Sequence, residues 1–214
     1  MKLYLIRHGE TNYNLQGIVQ GGGVDSDLNE TGIAQGRAFF EAYQHIPFEK
    51  VYCSSLKRTY QTLHGFVNRG DFVVKTPELD EFSWGELEGR SASPETKAYF
   101  REVTDAWARG ELHVGMKDGE NPIGAWERSR PFFERLMENY TQGNILICSH
   151  GRILRIMLSQ LLGYPLAGMA LFHHHNTGVN VLNITPNGKV TVELLNDVSH
   201  LEQGGVGVNV INYR

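Results

Sequence analysis

The sequence predicts an α/β fold: a three-layer α/β/α sandwich with a mostly parallel central sheet and an antiparallel edge strand. Three observations carry that expectation. Short apolar runs such as KLYLIR (2–7) and NILICSH (144–150) are apolar at nearly every position, as strands buried on both faces are. Between the runs lie segments with helical periodicity, and strands alternating with helices imply parallel pairing with crossovers on both faces. The last two runs are joined by Thr185-Pro186-Asn187-Gly188, a hairpin turn that puts an antiparallel pair at the end of the chain.

In order, strands are expected at 2–7, 50–54, 71–76, 144–150, 179–184 and 189–195. Helices are expected at 30–45 with Thr31 near the N-cap, at 56–68, at 94–109 opening on Pro94, at 125–140 despite Pro131, and at 153–163 ending on Gly163. No internal repeat, low-complexity tract or linker divides the chain, so residues 1–214 are expected to form one domain. The glycine-rich end, LEQGGVGVNVINYR (201–214), reads as a loosely held extension.

Composition narrows the function classes. The 214 residues are 41% hydrophobic and 21% charged, a globular balance with enough chain to bury a sizeable core. A net charge of −4 provides no global basic field for nucleic acid or an anionic membrane, so an anionic substrate needs a local basic pocket. The two cysteines, Cys53 and Cys148, each end an apolar run and no CxxC pair occurs, so both read as reduced, buried thiols. No stretch reaches transmembrane length and no charged-then-apolar leader precedes the first strand, which together point to the cytoplasm.

The chemistry concentrates where strands end. LIRHG (5–9) and ILICSHG (145–151) both run a buried strand into histidine and glycine. In a parallel sheet the C-terminal ends of strands share one edge, where ligands sit. VYCSSLKRT (51–59) ends a third strand and places Arg58 about one turn into the next helix. The edge thus gathers Arg7, His8, Arg58 and His150. Guanidinium forks bind phosphate oxygens, and neighbouring arginines hold an imidazole neutral and nucleophilic. That combination suits phosphoryl transfer.

These residues resemble the signature of the histidine phosphatase superfamily, the phosphoglycerate mutase-like group. The resemblance rests on Leu5-Ile6-Arg7-His8-Gly9-Glu10-Thr11 with Asn14, and continues through 20–36, CSSLKRTYQT (53–62), ELDEFSWGELEG (78–89) and CSHG (148–151). It implies that His8 is a nucleophile forming a phosphohistidine, that Arg7 and Arg58 clamp the phosphoryl oxygens, and that His150 donates to the developing charge. Asn14 would add a neutral donor, and Gly9 and Gly151 would let backbone approach the phosphate. The leaving alkoxide needs a carboxylic acid. Of Glu78, Asp80, Glu81, Glu86 and Glu88, the family's acid maps onto Glu81, with Asp80 as the alternative. Phe82 and Trp84 are expected to desolvate Glu81, whereas Glu78 and Glu88 read as solvated loop carboxylates.

Other features are expected to be structural. Gly21-Gly22-Gly23 lacks the Lys-Ser/Thr of a P-loop and reads as a flexible loop at the site entrance, ordered by Gln20-Gly21 and carrying Asp27 where the family commonly has proline. His173-His174-His175 is assigned no metal, because adjacent residues of an extended segment point to opposite sides. One or two of the three are expected at the site rim or paired with backbone. Trp84, Trp107 and Trp126 read as packing residues, and Arg90, Lys97, Arg101 and Lys117 mostly as a solvated face. Within the family, the short segment after Gly89, Arg152 after the second His-Gly, and KDGENPIGAWERSR (117–130), with Asn121 where serine is usual, favour the phosphatase branch. The expected activity is therefore a phosphomonoesterase acting on a small phosphorylated metabolite, without metal or cofactor and without nucleic-acid or membrane partners. A phosphoglycerate mutase and a non-catalytic phospholigand-binding protein are the alternatives. No leftover apolar stripe announces an oligomeric state.

Overall fold

The computed structural model describes residues 1–91 and 93–207. In chain order the elements are β1 (Lys2–Arg7), α1 (Asn12–Gln16), α2 (Glu30–Tyr43), β2 (Phe48–Ser54), α3 (Lys57–Thr62), α4 (His64–Arg69), β3 (Val73–Thr76), α5 (Pro94–Ala108), α6 (Pro122–Asn139), β4 (Asn144–Ser149), α7 (Gly151–Leu161), β5 (Val179–Ile184), β6 (Val190–Asp197) and α8 (Ser199–Gln203). Short 3₁₀ turns occupy Pro77–Leu79, Gly85–Leu87 and Leu166–Leu171.

The strands make one six-stranded sheet in the order β3-β2-β4-β1-β5-β6. The first four run parallel, β5 pairs antiparallel with β1, and β6 with β5. The closing hairpin thus builds the antiparallel edge. Alternation along β1 explains the three layers: Leu3 and Leu5 join a core with Trp107 of α5, Phe133 of α6 and Ile153 of α7, while Tyr4 and Ile6 join one with Phe39 of α2 and Phe66 of α4. On β4, Ile145 and Ile147 face the first core, and Leu146 and Cys148 the second. Both faces are covered, which is why these strands are apolar throughout rather than alternating.

The structure revises several element boundaries. The cap of α2 is Asn29, whose side chain accepts from the Gly32 amide, and Thr31 lies inside the first turn. The helix expected over 56–68 is two short helices, with the break at Leu63. There the Thr62 hydroxyl bonds back to the Arg58 carbonyl (2.7 Å), a side-chain bond that competes with the helical ladder. Helix α6 begins earlier than expected, capped by Asn121 with Pro122 in its first turn, where a missing N–H costs nothing. Pro131 sits within the same helix without ending it. α1 was not anticipated; a reciprocal capping box between Thr11 and Asn14 makes it.

The start of the expected terminal extension is ordered, since Leu201 is buried and α8 packs against α2. Residues 208–214 of that extension lie outside the described residues. Cys53 and Cys148 are buried free thiols. Trp84 and Trp107 lie in the core, and Trp126 stacks on Phe133. No helix among the described residues is long and apolar enough to cross a membrane.

Candidate active site

Strands β1 and β4 end in register, Arg7 opposite Ser149, and β2 ends beside β4 with Cys53 opposite Cys148. The residues just beyond therefore meet at one edge. The rings of His8 and His150 lie 5.1 Å apart between centroids, both buried.

The hydrogen bonds define the protonation of each ring. His8 Nδ1 is 2.6 Å from the Gly9 carbonyl. A carbonyl only accepts, so Nδ1 carries the proton and Nε2 keeps its lone pair. Burial, then the charges of Arg58 and Arg7, hold the His8 ring well below the usual histidine pKa, so it stays neutral. At His150, Arg58 Nε donates to Nδ1 (3.1 Å), which leaves the proton on Nε2, 2.7 Å from Ser54 Oγ. Burial and the neighbouring Arg58 hold this ring neutral as well. Gly9 donates its amide to Thr62 Oγ1 (2.9 Å), and a Cβ on it would come within 2.5 Å of the Gly32 carbonyl oxygen. No other residue lets the loop after β1 lie this close to α2.

The expected phosphate ligands fare differently. Arg7 Nη1 donates to the His174 carbonyl (2.9 Å), and its Nε lies 3.3 Å from where a Gly151 Cβ would stand. Gly151 thus opens α7 directly beneath the Arg7 guanidinium. Arg58 is the second residue of α3 rather than a turn in, and it is fully buried. Its Nη1 donates to the Val24 carbonyl (2.6 Å) and its Nη2 to that of Gly21 (3.4 Å), so the glycine loop, not an open pocket, faces its fork. Desolvation brings the Arg58 guanidinium down to about 10. Asn14 accepts at Oδ1 from the Thr11 amide and from Asn176 Nδ2 (3.2 Å each), which turns its own Nδ2 into the remaining donor. Asn176 also donates to the His8 carbonyl (2.9 Å), and sequence reasoning missed it.

Of the five candidate carboxylates, Glu81 is held by the amides at the start of α7, the helix that follows His150. Its Oε1 accepts from the amides of Phe82 (2.9 Å) and Ile153 (3.0 Å), and its Oε2 from that of Arg152 (3.3 Å). Glu81 therefore sits on the N-terminal turn of α7, where amide hydrogens point at it. The rings of Phe82 and Trp84 turn into the core instead, packing on each other at 4.8 Å and on Trp107. Asp80 commits both oxygens to the amide and hydroxyl of Ser55 (2.7 and 2.6 Å). Glu78 and Glu88 are struts rather than solvated loop groups. Glu78 pairs with Arg135 (2.6 Å), and Glu88 accepts from the amides of Gly23 (2.8 Å) and Trp84 (2.9 Å).

A second missed residue holds this acidic loop. Arg128 pairs with Glu120 (2.8 Å) and donates to the carbonyls of Pro77, Glu78, Asp80 and Glu81 (3.1 to 3.5 Å). Gln20 Oε1 accepts from the Thr11 and Ser26 hydroxyls, and Asp27, at the position where the family commonly has proline, pairs with Lys57 and accepts from Gln61. In the histidine run, His174 turns its carbonyl to Arg7 and His175 Nδ1 meets Asn196 (2.8 Å). No group of three His, Cys, Asp or Glu side chains among the described residues is placed to hold a metal ion.

A neutral imidazole with a free lone pair, flanked by guanidiniums, is equipped to attack phosphorus and to stabilise the charge that develops. The comparisons agree. The α-ribazole phosphatase of Shigella flexneri superposes with a TM-score of 0.81 at 30% identity, over 92% of this chain and 96% of that one. The adenosylcobalamin/alpha-ribazole phosphatase of Salmonella typhimurium (strain LT2) is 30% identical over 92% of this chain and 96% of its own. The metal-independent phosphoserine phosphatase of Arabidopsis thaliana is 30% identical over 95% of this chain and 84% of its own. With the model of the histidine phosphatase superfamily (branch 1) matching residues 3–198, the chain belongs to that superfamily.

Proposed function

We propose that the protein hydrolyses phosphate monoesters of small metabolites through a phosphohistidine on His8. The observation that carries this reading is the state of His8: neutral, its proton on Nδ1 and its Nε2 lone pair free, beside Arg7 and Arg58. In the first half-reaction Nε2 attacks phosphorus as the P–O ester bond breaks, and protonated Glu81 passes its proton to the leaving oxygen. In the second, water attacks phosphorus and gives a proton to Glu81 as the P–N bond breaks, returning the electron pair to His8 Nε2 and releasing phosphate.

His150 takes part by swinging its Nε2–H hydrogen bond from Ser54 to a phosphoryl oxygen, the proton staying on the ring. Arg58 turns its fork from the Gly21 and Val24 carbonyls to the same group, with Arg7 and the amide of Asn14 completing the anion site. Gly151 keeps the start of α7 open to Arg7. The names of the phosphatases above support hydrolysis rather than isomerisation. The reading takes residues 1–214 as one domain, in line with one continuous sheet.

The test is phosphate release from p-nitrophenyl phosphate and a panel of sugar, glycolytic and nucleotide monophosphates, in excess chelator, with His8→Ala alongside and phosphoglycerate isomerisation assayed in parallel. Release by the wild type alone, undiminished by chelator, is expected. Isomerisation without release would replace hydrolysis with a mutase, and equal activity of His8→Ala would remove the nucleophile.

A further inference from the structure

In this conformation the site is shut. Arg58 and His150 are 0% exposed and His8 is 2% exposed. Water does not reach the Arg58 guanidinium, so a phosphoryl oxygen, no smaller than water, meets it only when a covering segment moves. Of the groups on the guanidinium, His150 belongs to the interior, at the junction of β4 and α7. The Gly21 and Val24 carbonyls belong to a surface turn, closed by the Val24 amide on the Gly21 carbonyl (3.3 Å). Within it Gly23 is exposed, and Gly22 and Val24 are half-buried. The turn is the part that can leave.

Glu88 keeps it down. Its Oε1 accepts from the Trp84 amide (2.9 Å) and the Ser83 hydroxyl (3.2 Å), which anchors the carboxylate on its own loop. Its Oε2 accepts from the Gly23 amide (2.8 Å). The fit is close: a Cβ on Gly21 would collide with Glu88 Oε1, and one on Gly23 would stand 2.6 Å from Oε2. One longer bond assists, from the Gly22 amide to the Phe82 carbonyl (3.3 Å). Among the described residues Glu88 forms no ion pair, so no cation competes with the turn for it.

On either side the chain is tied down. The Val19 carbonyl accepts from the Gly89 amide (2.8 Å) and the Val19 amide donates to the Arg90 carbonyl (3.3 Å). Asp25 accepts from the Lys57 amide at the start of α3 (2.8 Å). A short segment fixed at both ends and latched in the middle is built to lift and return. At Arg58 the exchange is favourable, since charged phosphoryl oxygens make stronger bonds than the neutral carbonyls they replace, and the freed carbonyls face water.

We propose that the Gly21–Val24 turn is a gate over the phosphate site, that Glu88 is its latch, and that a phosphoryl group enters by displacing the turn from Arg58. Glu88 is a positioning residue that acts through the turn. The inference deepens the proposed function and rests on it for the role of Arg58. The closed gate lowers the affinity for phosphate by the fraction of molecules in which it is open. A turn open in about a tenth of free molecules weakens apparent binding about tenfold.

The experiment is calorimetric titration of inorganic phosphate into the wild type, Glu88→Gln, Glu88→Asp and Gly23→Ala. Glu88→Gln sets an NH₂ against either the Gly23 or the Trp84 amide. Glu88→Asp keeps the charge but falls a methylene short, and Gly23→Ala pushes Oε2 away with the charge intact. Each variant is expected to bind phosphate about three- to tenfold more tightly than wild type, with KM for p-nitrophenyl phosphate lowered alongside. A carboxylate that merely stabilised the fold would give weaker binding instead. Phosphate should also speed hydrogen exchange at residues 20–24 of the wild type. Tighter binding by Glu88→Gln alone overturns the inference, because the lost charge then explains it. Affinities at or below that of the wild type, or slower exchange of the turn with phosphate, overturn it and leave the phosphatase reading standing. If none of the four proteins binds phosphate or hydrolyses p-nitrophenyl phosphate, the phosphatase reading fails and the gate with it.

Discussion

At the scale of the residue, protonation rather than identity separates the two buried histidines at the ends of β1 and β4. His8 faces a carbonyl through Nδ1 and presents a lone pair; His150 faces an arginine through Nδ1 and presents a proton. Glu81 accepts from three backbone amides, and the proposed reaction asks it to pass a proton to the leaving oxygen. If its proton goes to the leaving oxygen, Glu81→Gln should lower kcat by about 10²- to 10⁴-fold for alkyl phosphates. The same variant should lose far less on p-nitrophenyl phosphate, whose leaving group departs without a proton. An equal loss on both substrates would make Glu81 a positioning residue for α7 instead of the acid.

At the scale of the element, the site depends on how the loop after β3 is tied to α6 and α7. Arg128 of α6 holds four carbonyls of that loop and one carboxylate, a pattern that the planar fork of an arginine supplies and an ammonium does not. Arg128→Ala should cost about 2–4 kcal/mol, because it leaves half-buried acceptors unpaired. The loss is measured as a lower urea midpoint. It should also lower kcat, and Arg128→Lys should recover little of either. Full activity in a folded Arg128→Ala protein would show that the loop holds its shape without this tie.

At the scale of the whole molecule, buried neutral histidines give stability a pH dependence. His200 lies against Phe39 and Tyr43 and, through desolvation, drops from 6.5 to about 4 in the fold. Between those values the unfolded chain binds the extra proton, so stability rises with pH across the window and is fully present above about 6.5. At ~1.4 kcal/mol per unit, this one ring contributes up to about 3 kcal/mol. His8, His150 and His174 act in the same direction. The urea midpoint should therefore fall steadily from pH 7.5 to pH 4.5, and His200→Leu should flatten part of that slope. A midpoint constant over this range would contradict the account.

The sequence alone determined the layered α/β architecture, the three strand ends and the family, because strand burial, helical period and glycine turns are local properties written at short spacing. His8, Arg7 and His150 were legible for the same reason: each adjoins a strand whose direction in the sheet is implied by its neighbours. Tertiary structure decided what those residues face. Arg58 meets the Gly21 and Val24 carbonyls across 34 to 37 residues, Asn176 meets Asn14 across 162, and Arg128 meets the acidic loop across about 50. Nothing in one-dimensional spacing marks such pairs, since a hydrogen bond depends on where two folded segments come to rest. The same holds for Arg152, which reads as any helix-face cation until packing puts the Trp84 and Trp107 rings against it.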